Sequence, residues 1–146
     1  MTDKELFSQK AKEGYMVCYK ESCPLHESCL RWKVGCHVPS SQMRCNCVNP
    51  NFEHVGTREC PLHRPAEKVR MAQGMTHIFN SEMPKRLEPT IRATLIDSWR
   101  RTYYFEYRSG KRLLSPAMQE MVRRLFRKQG WTEEVHFDNY VEEYDW

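Results

Sequence analysis

Apolar positions along the chain divide it into a periodic half and an aperiodic one. Leu87, Ile91, Leu95 and Trp99 recur at steps of four, with Ile96 alongside. That stripe belongs to an amphipathic helix and predicts one over about residues 84–101. Met118, Met121, Val122, Leu125 and Phe126 form a second stripe. Ser115 is placed to cap this helix, Pro116 takes its first position, and Gly130 lies beyond its end. Its other face carries Arg123, Arg124, Arg127 and Lys128, crowded toward the C-terminal end, where cations suit the helix dipole.

Weaker patterns surround these two helices. "TDKELFSQKAKEG" reads as a short helix capped by Thr2 or Asp3 and ended at Gly14. "PAEKVRMAQG" predicts a helix with Pro in its first turn and Gly74 at its end. "MTHIF" is a short strand or a connector. In "YYFEYRSGKRLL", Tyr103, Phe105 and Tyr107 alternate with Tyr104, Glu106 and Arg108, and Ser109-Gly110 is a turn signal. The expectation there is a β-hairpin. "FDNYVEEYDW" reads as a last helical turn or two capped by Asp138. The fold expected is α+β: one small domain over residues 1–146, with a Cys-rich region at 15–65 and a mainly helical region at 66–146.

Residues 15–65 hold no sustained helical or strand period and are dense in Cys, Pro, Asn, Ser and His. Such a segment buries too little side chain to offset its ordering entropy, so something else should pin it. All seven cysteines fall here: Cys18, Cys23, Cys29, Cys36, Cys45, Cys47 and Cys60. The charged start lacks the apolar core of a secretory signal, and the apolar runs are too short to span a membrane. A cytoplasmic location follows as the expectation. In that compartment thiols stay reduced, and metal binding gains weight over disulfides.

A structural zinc needs four thiolate or imidazole ligands. Cys18 and Cys23, with four residues between them, and Cys29 after five more, can supply one half of a site. Cys60, about thirty residues on, can close it. A rival set comes from the repeated "CPLH", which would make a symmetric site from Cys23, His26, Cys60 and His63. Neither spacing is that of a named zinc finger or a bacterial ferredoxin, so an iron–sulfur cluster stands as the alternative to zinc. Buried inert thiols explain one or two cysteines well, but explain seven within 43 positions poorly. Cys36-His37 and Cys45-Asn46-Cys47 could serve a second ion, but the favoured reading has one site. No C-x-x-C and no nucleophile signature appears, so no catalytic residue is assigned and no enzyme is expected.

The net charge of +4 conceals a gradient. Residues 85–128 hold twelve Lys and Arg against four acids, whereas residues 129–146 hold six acids and no base. Arg100, Arg101, Arg108, Lys111 and Arg112, with the helix cations Arg123, Arg124, Arg127 and Lys128, could form one positive face. Tyr103, Tyr104, Phe105 and Tyr107 lie among them, a combination suited to phosphate and unpaired bases. The plainer reading is a packed aromatic hairpin, a solvated basic face and an acidic tail that pairs with it.

Two stretches are similar to those of a family of small uncharacterised Cys-containing proteins of Bacteroidetes-type bacteria. One is "CYKESCPLHESCLRW" with the later "CPLH"; the other is "YYFEYRSGKRLLSPAMQEMVRRLFRKQGW" followed by "FDNYVEEYDW". The resemblance implies that Cys18, Cys23, Cys29 and Cys60 are motif positions and that His26 and His63 are not. It also implies that Cys36, Cys45 and Cys47 are additions particular to this chain. It supplies no substrate or reaction. The expectation is a metal-stabilised binding or regulatory module with a protein or nucleic-acid partner. A nucleic-acid regulator and a thiol or iron–sulfur redox protein are the alternatives.

Overall fold

A computed structural model describes all of residues 1–146. The fold is α+β, and the chain forms two compact units. One comprises Met1–Glu67 with Tyr144–Trp146; the other comprises Lys68–Glu143. No helix is long and apolar enough to cross a membrane.

The first unit begins with helix α1, Asp3–Lys12. Its start is a reciprocal cap: the Glu5 N–H donates to Thr2 Oγ1 at 3.2 Å, and the Thr2 N–H donates to Glu5 Oε2 at 2.7 Å. Phe7 and Ala11, one turn apart, are its buried face. They pack with Val17, Leu30, Val34 and Tyr144 into a small core. Leu30 and Val34 belong to α2, Leu30–Gly35, a helix of under two turns. The remaining backbone from 13 to 66 is turns, isolated bridges and one short 3-10 helix, His26–Ser28. Val17 pairs with Cys47, and Cys29 pairs with Pro65.

The second unit holds a two-stranded antiparallel sheet, β1 Lys68–Gln73 and β2 starting at Asn139, and three helices. Helix α3, Leu87–Trp99, buries Leu87, Ile91 and Leu95 as their four-residue spacing requires. Helix α5, Pro116–Lys128, is capped by Ser115, whose hydroxyl accepts the Met118 N–H at 3.3 Å. Gln119 is the buried polar residue of this core. Its amide donates to the carbonyls of Arg70 (2.9 Å) and Leu114 (3.0 Å), which ties α5 to β1.

Three expected elements differ. Residues 68–73 form a strand, not a helix. Lys68 and Arg70 are exposed while Val69 and Met71 turn inward, a period of two, and Ala72 exchanges two hydrogen bonds with Leu114. So short a helix would be marginal alone, and pairing outweighs its propensity. Where a hairpin is expected, at 103–114, the chain instead forms helix α4, Arg101–Ser109. Tyr104 is buried, whereas Tyr103 and Phe105 are exposed, so the alternation does not mark one face. Gly110 is not a hairpin turn but a left-handed helix stop at φ 82°. The expected C-terminal helix is strand β2, Asn139–Tyr144. Asp138 caps no helix, because its carboxylate is held by Thr76 and His77. "MTHIF" is a connector.

Candidate metal centre

The two CPLH stretches fold alike. In the first, the Cys23 N–H donates to the Lys20 carbonyl (3.1 Å) and the His26 N–H to the Cys23 carbonyl (3.2 Å). In the second, Cys60 donates to Thr57 (3.2 Å) and His63 to Cys60 (3.3 Å). Each cysteine thus sits between two consecutive tight turns, with proline fixing the second. The copies are then joined side by side, as Leu30 N–H meets the Arg64 carbonyl (2.7 Å) and Ala66 N–H meets that of Ser28 (2.8 Å).

Cys29 directly precedes α2, and Cys18 donates its N–H to the Arg31 carbonyl at 3.0 Å. The outcome is that Cys18, Cys23, Cys29 and Cys60 line one cavity of about 20 Å³. His26 and His63 border it too, as do Leu25, Leu62, Lys20 and Arg31. All seven cysteines are free of disulfides. Cys29 is buried; Cys18, Cys23 and Cys60 are half-buried. A space of this size holds one water-sized body. As the side chains stand, no three His, Cys, Asp or Glu groups are close enough together to hold a metal ion. The four thiols share the cavity without closing on one point.

The histidines are engaged differently in the two copies. His26 Nδ1 lies 2.7 Å from the Cys23 carbonyl, and its ring packs edge-on to Trp32. His63 instead places Nε2 3.5 Å from Ser28 Oγ. The backbone symmetry of the repeat therefore does not extend to its imidazoles.

Cys36, Cys45 and Cys47 are exposed. They gather around Tyr19, whose hydroxyl is 3.7 Å from Cys45 Sγ. Burial, the contact with Cys45 and the nearby thiols push the Tyr19 phenol up to about 12. Burial, with Cys45 and Cys18 adding to it, likewise raises the Cys47 thiol.

The basic block does not form one free face. Arg112 and Lys111 pair with Glu106 at 2.8 and 3.7 Å, and Arg127 pairs with Glu120. Arg123 stacks on Phe137 and Arg101 on Phe105. Arg100, Arg108, Arg124 and Lys128 take no ion pair. One cluster escaped the sequence pattern. Asp138 accepts hydrogen bonds from the N–H groups of Thr76 (3.0 Å) and His77 (3.1 Å) and from the Thr76 hydroxyl (2.6 Å). Its partners lie more than sixty residues away, beyond any local signal.

A family of unknown function, DUF6078, matches the chain over residues 1–146. The chain belongs to that family. No curated protein and no solved structure matches it. Family membership therefore brings no reaction with it, and the cavity has to be read from its chemistry.

Proposed function

We propose that one structural zinc ion, held by Cys18, Cys23, Cys29 and Cys60, pins the first unit, and that the protein is a non-enzymatic, cytoplasmic binding or regulatory module. The observation that carries this reading is the single ion-sized cavity lined by all four thiols. Four thiolates around zinc leave a net charge of −2, and Lys20 and Arg31 at the cavity wall offset it. Zinc binding requires the cysteine side chains to turn their sulfurs inward, since no three ligands converge as they stand; the two CPLH turns already fix the backbone that presents two of them. Structural zinc contributes roughly 10–16 kcal/mol in small peptides. A whole domain is stable by only about 5–15 kcal/mol. One ion is therefore enough to decide whether the irregular backbone is ordered. Elemental analysis of untagged protein tests the reading. About one zinc per chain is expected; absence of metal, with all seven thiols reacting freely in the folded protein, overturns it. A visible charge-transfer absorption would replace zinc with an iron–sulfur cluster.

A further inference from the structure

Helices α3 and α4 are separated by a single residue, Arg100, whose backbone adopts φ 69° and ψ 154°. That conformation is ordinary for glycine and strained for arginine. Glycine would relax the turn, so the strain points to a use for the guanidinium. Beside it lies a groove of about 300 Å³ lined by Ser98, Trp99, Arg100, Tyr103 and Tyr107. Tyr103 and Tyr107 are one helical turn apart, and the Trp99 and Tyr107 rings meet at 5.0 Å. The Arg112 guanidinium stands over Tyr103 at 4.7 Å and over Tyr107 at 6.0 Å. Tyr103 is 44% exposed, a large aromatic surface left open to solvent.

We propose that this groove binds single-stranded nucleic acid, with a base stacked on the exposed Tyr103 ring and its phosphate met by Arg100, the one cation of the groove wall. Aromatic faces accept any base, and cations beside them neutralise the backbone. Charge decides against a proline-rich peptide, the other occupant of aromatic grooves. Residues 98–112 carry five cations and one carboxylate. Glu106 is that carboxylate, and it is already engaged by Lys111 and Arg112. Arg100 has no such partner. Every residue of the groove lies in the second unit, so the inference stands apart from the zinc reading.

Fluorescence anisotropy of the full chain with labelled twelve-nucleotide single strands, RNA and DNA, tests it. A duplex and a polyproline peptide serve as controls. Salt-sensitive binding to the single strands is expected, with Tyr103→Ala weakening it by about five- to a hundredfold, the range for loss of one stacked base. Arg100→Gly should also weaken it while its melting temperature stays level or rises, a combination that a merely structural role for Arg100 would not give. Zinc content should be the same in both variants. Absent binding, or binding indifferent to both substitutions, overturns the proposal. So does capture of polyproline, in preference to the oligonucleotides, that Tyr103→Ala abolishes.

Discussion

Arg31 Nε donates to the main-chain carbonyl of Leu62 at 2.7 Å, so helix α2 holds the second CPLH turn directly. The same guanidinium reaches the Met16 carbonyl at 3.2 Å and lies over the Tyr15 ring. One side chain thus ties together the three stretches that carry Cys18, Cys29 and Cys60. Arg31→Met keeps the apolar stem and removes these bonds. A hydrogen bond to a charged group is worth about 1.5–3 kcal/mol. We expect a loss of that order, measured by denaturant unfolding, together with faster release of metal to a chelator. Unchanged stability would show that the clamp is incidental.

Gly35 permits the close approach of α2 to the first cysteine. A Cβ there would stand 2.8 Å from the Cys18 carbonyl oxygen, and backbone cannot yield as a side-chain tip can. Gly35→Ala should therefore destabilise the first unit by about 1–3 kcal/mol, the usual range for overpacking. The second unit should be spared. Hydrogen exchange resolved by segment checks this: protection should fall around residues 15–36 and stay level in α3 and α5.

Thiol labelling should separate the seven cysteines into two classes. Cys36, Cys45 and Cys47 are exposed and should react first in native protein. Cys18, Cys23, Cys29 and Cys60 should react only after chelation or unfolding. Within the fast class Cys47 has its own signature. Its raised thiol holds less thiolate at neutral pH, so its alkylation rate should keep climbing at pH values where an ordinary thiol has levelled off. Mass spectrometry of the alkylated peptides reads both effects.

Asp138 gives the second unit a pH dependence. Burial works to raise its carboxyl, but hydrogen bonds from Thr76 and His77 outweigh it and hold the group below its ordinary 3.8. A carboxylate depressed in the folded state stabilises fully above its unfolded value, and that contribution is lost as pH falls through the lower folded value. The loss should therefore appear only below about pH 4. Asp138→Asn should remove this part of the acid transition and leave the protein less stable at neutral pH. An acid unfolding curve that matches the wild type in shape and midpoint would contradict it.

Local signals explain which elements were legible. Helix α1 has its capping residues, α3 its apolar stripe and α5 both, so neighbours in sequence suffice to specify them. β1 and β2 pair across more than sixty residues, and nothing near Lys68 or Asn139 announces the partner. Gly110 favours a hairpin turn and a helix stop equally; burial of Tyr104 within the second core decides for the helix. In the candidate site, spacing leaves the four-cysteine set and the CPLH set both open and the family resemblance favours the first; residues of both sets border one cavity. The roles of Arg31 and Lys20 depend on tertiary approach, and no spacing reveals them. The same holds for the hold of Thr76 and His77 on Asp138.

The ligand set itself is tested most directly by the zinc content of two variants, Cys18→Ser and the double substitution His26→Ala with His63→Ala, beside the wild type. Four-thiolate binding predicts about one zinc per chain in the wild type and in the histidine variant, and loss of zinc from Cys18→Ser. Zinc kept by Cys18→Ser and lost from the histidine variant would contradict it, and would return the two CPLH histidines to the metal.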